Sequence, residues 1–158
     1  MGKTKKNMPR VLVIHGPNLN MLGLREPEVY GRTRLTEIDE RLVELGRQWN
    51  LEVSHFQSNH EGAIVDTIQA CLGKIDGLII NPAAYTHTSI AIRDAIVVLG
   101  VPIIEVHLSN IHKRESFRHK SLMADVVTGQ IVGLGVVGYY LALRAIAEKL
   151  GITATSLA

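Results

Sequence analysis

The chain has 158 residues, 46% of them apolar, and its 17 Lys and Arg against 15 Asp and Glu leave a net charge of +2. That length makes one domain able to bury roughly two-thirds of its unfolded surface, and so small a charge excludes a general electrostatic grip on nucleic acid. The single cysteine, Cys71, excludes an internal disulfide framework, lies in an apolar helical pattern as small buried filler, and points to a reducing compartment.

Residues 1–9 form a basic extension with no apolar run, expected to be disordered and to be neither signal peptide nor membrane anchor. The longest apolar stretch, residues 131–143, is short for a bilayer span and is cut by glycines. A soluble, cytoplasmic protein is expected, with one domain over 10–151 and a tail over 152–158.

In chain order, the first buried strand is predicted over 11–14, where Val, Leu, Val and Ile follow one another. A helix over 35–49 puts Ile38, Leu42 and Leu45 on one face, and a strand follows over 52–57. A helix over 61–72 places Ile64, Ile68 and Leu72 together before a strand over 77–81. The pattern repeats with Ile92, Ile96 and Leu99 in a helix over 89–99 and a strand over 102–107. It closes with a strand over 126–132 and a helix over 135–150 that turns Leu141, Ala145 and Leu150 inward.

Alternating strands and helices, with strands apolar on both faces, indicate a parallel sheet covered on both sides. Five strands at this length predict a flavodoxin-like doubly wound α/β domain. Such folds bind ligands beyond the carboxyl ends of the strands, at the switch in strand order. Polar residues do collect there: His15 to Asn20 after the first strand, Asn81 to Ser89 after the third, and Glu105 to Asn110 at the fourth.

The first of these connections is unusually long, and long connections inside a compact domain are usually functional. It carries Arg25 and Tyr30. A phenol with an ordinary pKa of about 10 is a poor base at neutral pH, but a cation within about 4 to 6 Å stabilises the phenolate. Glu105, His107 and Ser109 alternate along the fourth strand and its end, so the carboxylate is placed to orient the imidazole and favour its acid form. Asn18 and Asn81 are amides at the cleft, suited to holding a water or an anionic group, while Asn20 reads equally as a turn residue. Arg114 and Arg118 share a face if the basic run after the fourth strand is helical, and are placed to close on an anionic or hydroxylated ligand.

Gly133 to Gly138 matches a dinucleotide-binding glycine pattern, yet it sits on the last strand and helix, with no later strand to supply the acidic ribose contact. Close packing of helix on strand explains it better. No His, Cys or carboxylate spacing organises a metal site, so neither metal nor cofactor is expected. A receiver-like domain on the same fold would need acidic strand ends, and a serine hydrolase would need a nucleophile elbow. Both are missing, and a purely structural role leaves the polar loop unexplained.

These motifs together closely resemble the type II 3-dehydroquinate dehydratases, from residue 11 to about residue 150. The resemblance rests on Gly16-Pro-Asn-Leu-Asn20, Arg25-Glu-Pro with Tyr30-Gly31, Ser58-Asn-His-Glu-Gly62, Asn81-Pro-Ala-Ala-Tyr-Thr-His-Thr-Ser89, Arg93-Asp94 and Glu105-Val-His-Leu-Ser-Asn110, with the run Gly133 to Gly138. It implies a hydro-lyase that converts 3-dehydroquinate to 3-dehydroshikimate in the shikimate pathway through an enolate. It further implies Tyr30 as base, Arg25 as its activating cation with Arg114 a second candidate, a water held by Asn18, and His107 as general acid oriented by Glu105. Asn81 with Leu108 and Ser109 match the family's carboxylate site, His87 and Arg118 its contacts to ring hydroxyls, and Asp94 a residue that reaches a neighbouring subunit's site. A homododecamer built from trimers is implied likewise. His15 stands where many relatives have another polar residue, and Leu24 occupies a variable place.

Overall fold

Alternation along β1 (Arg10–His15) sends Val11 and Val13 to one face and Leu12 and Ile14 to the other, and all four are buried. A strand buried on both sides needs cover on both sides. The computed structural model, which describes residues 7–24 and 27–157 and gives residues 29 and 30 by backbone alone, supplies it. β1 is joined by β2 (Glu52–Gln57), β3 (Gly77–Asn81), β4 (Ile103–His107) and β5 (Gly129–Val132) in one sheet of order β2-β1-β3-β4-β5. Every pairing is parallel. This is the flavodoxin-like arrangement expected.

The helices are α1 (Pro27–Tyr30), α2 (Leu35–Gln48), α3 (Glu61–Ala70), α4 (Ile90–Val97) and α5 (Val137–Lys149). On one face of the sheet Val11, Val13, Ile79, Ile104 and Val106 pack with Ile38, Leu42 and Leu45 of α2 and Leu143 and Ile146 of α5. On the other, Leu12, Ile14, Leu78, Ile80 and Ile103 pack with Ile64, Ile68, Ile92 and Ile96 of α3 and α4. Each such side chain contributes about 1.5–3 kcal/mol through burial, which fixes the strands as a rigid base.

Three details differ from the sequence pattern, each for a physical reason. β5 begins at Gly129 because the N–H groups of Val126 and Val127 turn back to the Met123 carbonyl. α3 ends at Ala70, so Leu72 lies beyond it and is 53% exposed. α5 buries Tyr139, Ala142, Leu143, Ile146 and Ala147, leaving Leu141, Ala145 and Leu150 only partly covered at its margins. Its rotation is set by glycine: a Cβ on Gly77 would lie 2.6 Å from Ile146, so Ile146 seats directly over β3. Gly138 likewise lets α5 approach Ile131 and Val106, in keeping with a packing role for that glycine run.

The connection between β1 and α2 holds a short 3-10 turn at Leu19–Met21 and the single turn of α1. Cys71 is half-buried just past α3, against the core of α3 and α4. Among the described residues no helix is long and apolar enough to cross a membrane.

Candidate active site

β1 and β3 are neighbours in the sheet, but their chains leave toward opposite sides, which opens a crevice above their carboxyl ends. The two exits touch. Gly16 donates its N–H to the Asn81 carbonyl at 2.8 Å, and a Cβ there would lie 2.3 Å from the Pro82 oxygen. Asn18 and Ala83 both bend through left-handed backbone, with φ of 68° and 53°. Asn accepts that region readily, whereas for Ala it costs about 1–2 kcal/mol. The Asn81 carboxamide oxygen accepts the Ala83 N–H at 3.1 Å and holds this turn in place.

Above these turns is a cavity of about 160 Å³. Of the side chains singled out in the sequence, Asn18, Asn81, His87, His107, Leu108, Ser109, Arg114 and Arg118 all line it. Pro17, Leu19, Met21, Leu22 and Ile111 add apolar wall. Asp94 does not line it, being exposed on α4. Arg25 lies outside the described residues, as does the side chain of Tyr30, whose backbone ends α1.

Glu105 is fully buried, and four groups converge on its carboxylate. His107 Nε2 lies 2.7 Å from Oε1, Thr86 Oγ1 donates to the same oxygen at 2.5 Å, Gln130 donates to Oε2 at 2.6 Å, and Ser121 reaches both at 2.9 Å. Burial alone would push this carboxyl up, but the bonds from His107, Thr86 and Gln130 outweigh it and hold the group below the usual glutamate range. A permanent anion therefore sits beneath His107. Because Nε2 is committed to it, Nδ1 is the ring nitrogen left for the cavity.

His87 stacks beside His107 with centroids 6.5 Å apart. Its own Nδ1–H donates to the Lys120 carbonyl at 2.8 Å, while burial draws its pKa below the usual histidine value, so Nε2 is an acceptor. Among the described residues, neither Leu108 nor Ser109 spends its N–H on a backbone carbonyl. The basic run is not one helix but two 3-10 turns, Ile111–Lys113 and Ser116–Arg118. Glu115 lies between its arginines, 2.8 Å from Arg118 Nε and 3.8 Å from Arg114 Nε. Among the described residues, no three His, Cys, Asp or Glu side chains gather as metal ligands. The cleft thus offers a buried acid–base pair, amides, backbone N–H groups and two cations, a set suited to a small, oxygen-rich anion.

The family model described as Dehydroquinase class II matches residues 9–147. The chain belongs to this family. Within it, a 3-dehydroquinate dehydratase of Sulfurovum sp. (strain NBC37-1) is 58% identical over 141 residues, which are 89% of this chain and 87% of that one. A catabolic 3-dehydroquinase of Talaromyces marneffei is 53% identical over 137 residues, 87% of this chain and 78% of the relative. The crystal structure of the type II dehydroquinase from Propionibacterium acnes is 46% identical, covers 88% of this chain and 96% of its own, and superposes with a TM-score of 0.85.

In this class II dehydroquinase chain the sequence pattern overlooked the partners of two buried groups: Thr86, Ser121 and Gln130 around Glu105, and Asp39 and Tyr139 around His15. Asp39 did leave a signal, as a charged residue beside Ile38 on the otherwise apolar stripe of α2.

Proposed function

We propose that the chain is a 3-dehydroquinate dehydratase, a hydro-lyase (EC 4.2.1.10) that removes water from 3-dehydroquinate to give 3-dehydroshikimate without metal or cofactor. The observation that carries the reading is the buried Glu105–His107 pair opening on a cleft of amides and cations. Relatives named for this reaction, identical at more than half of the aligned positions, support the substrate.

In this reading Tyr30, as phenolate beside Arg25, takes a proton from C2, next to the ketone. The electron pair moves to the carbonyl oxygen as an enolate, which a water held by Asn18 stabilises. The pair then returns to expel the C1 hydroxyl, protonated by His107 through Nδ1, so that one water leaves and a conjugated enone remains. Glu105 keeps the imidazole oriented throughout. The substrate carboxylate is taken by the Asn81 amide and the N–H groups of Leu108 and Ser109, and the ring hydroxyls by His87 and Arg118. Arg114 adds a second cation at the same cleft.

Asp94 acts in this reading on the cleft of a neighbouring copy. Ile90, Asp94 and Val97 fall at i, i+4 and i+7 on an exposed face of α4, an apolar surface suited to assembly, here into a dodecamer of trimers.

The decisive variant is Tyr30→Phe. It should abolish turnover, followed by enone absorbance, while substrate binding persists by calorimetry; a variant with wild-type kcat would refute the base.

A further inference from the structure

His15 and Asn81 are register partners on β1 and β3, so both end on the face of the sheet covered by α2 and α5. We propose that Asp39, His15 and Tyr139 form a positioning relay that fixes the Asn81 amide with an N–H, not its carbonyl, directed into the cleft. The inference rests on the dehydratase reading in so far as it gives Asn81 an anionic carboxylate to hold.

The placement of each hydrogen decides the direction. Asp39 is an acceptor only, and its Oδ1 lies 2.7 Å from His15 Nε2, so that nitrogen carries the proton. In the neutral ring Nδ1 must then accept, and the Tyr139 hydroxyl, 2.8 Å away, donates to it. Tyr139 is fully buried, and burial drives its ionisation far up, so the O–H is retained. With its hydrogen spent on His15, the phenol oxygen can only accept, and the relay assigns it as donor the amide of Asn81, the register partner of His15 on the same face of the sheet. The Asn81 oxygen is already taken by the Ala83 N–H at 3.1 Å. The amide nitrogen therefore gives one hydrogen to Tyr139 and keeps the second for the cleft that Asn81 lines. His55, half-exposed, approaches the other Asp39 oxygen at 3.2 Å, which leaves Oδ1 to His15.

One carboxylate on α2 thus sets the direction of every hydrogen bond up to the cleft wall. Reversal of the chain would turn the Asn81 carbonyl outward, against a carboxylate. His15 gains a specific role here, since an imidazole relays polarity by donating from one nitrogen while the other accepts.

Asp39→Asn provides the reversal. The new amide can donate to His15 Nε2, shifting the ring proton to Nδ1 and forcing Tyr139 to donate toward Asn81. Long-range 1H–15N NMR of the His15 ring should report the neutral Nε2–H tautomer in the wild type and the Nδ1–H tautomer in Asp39→Asn. KM for 3-dehydroquinate should rise about tenfold, as for one lost charge-assisted bond, with kcat within about twofold, because the carboxylate is unchanged through the reaction. Should Asp39→Asn not fold, Tyr139→Phe breaks the same relay and should raise KM in the same way.

A wild-type Nδ1–H or doubly protonated ring would overturn the relay. So would a tautomer switch with unchanged KM, or a fall in kcat as large as the rise in KM. An inactive wild type with the Nε2–H tautomer would instead overturn the dehydratase reading and leave the relay standing.

Discussion

Glu105→Gln removes one negative charge from a site where four donors converge on two oxygens, and the structure allows its two consequences to be separated. With the new carbonyl at the Oε1 position, the bonds from Thr86 and His107 survive as neutral ones. The new amide then meets the Gln130 amide, 2.6 Å from Oε2 in the native chain. Gln130 can turn over and offer its oxygen, so the structural cost is about 1 kcal/mol or less, a fall of roughly 2–4 °C in Tm. The effect on chemistry is larger. Hydrogen bonds to a charged group are worth about 1.5–3 kcal/mol against about 1 for neutral pairs, so the imidazolium loses about 0.5–2 kcal/mol of support. That corresponds to roughly a 2- to 30-fold lower kcat. Enone absorbance at saturating substrate, with a thermal melt on the same sample, measures both. A folded variant with the kcat of the wild type would refute the role given to the Glu105 charge.

Two further predictions concern the frame of the site. Because Glu105 is held below its unfolded pKa, it stabilises the fold above the ordinary glutamate range, and that contribution is lost as pH falls through the lowered value. Urea midpoints between about pH 6 and about pH 3 should therefore drop more steeply for the wild type than for Glu105→Gln, and parallel curves would contradict this. Gly16→Ala drives a methyl to 2.3 Å from the Pro82 oxygen, so the exits of β1 and β3 must part. A loss of about 1–3 kcal/mol is expected from the shift in urea midpoint, with KM raised as Asn81 moves, and an unshifted midpoint would show the contact to be soft.

The strands and most helix faces were legible because burial writes itself locally: Ile38, Leu42 and Leu45 recur at helical spacing, and β1 and β3 are unbroken apolar runs. The cleft was legible for a related reason, since a parallel sheet delivers the residues after its strands to one edge. What the pattern did not carry was contact between distant segments. Gln130 meets Glu105 from 25 residues away and Tyr139 meets His15 from 124, and no local spacing encodes either. The rotation of α5 escaped for the same reason, because the space over Gly77 that receives Ile146 belongs to another part of the chain. The basic run was legible in place, its form having been left conditional: two 3-10 turns bring Arg114 and Arg118 to the cleft wall.

Dehydration of 3-dehydroquinate is tested most directly by one measurement, the ultraviolet absorbance of purified, folded protein mixed with that substrate in metal-free buffer. Steady growth of the conjugated enone at a rate proportional to enzyme is the predicted result. Folded protein that leaves the substrate unchanged would contradict it.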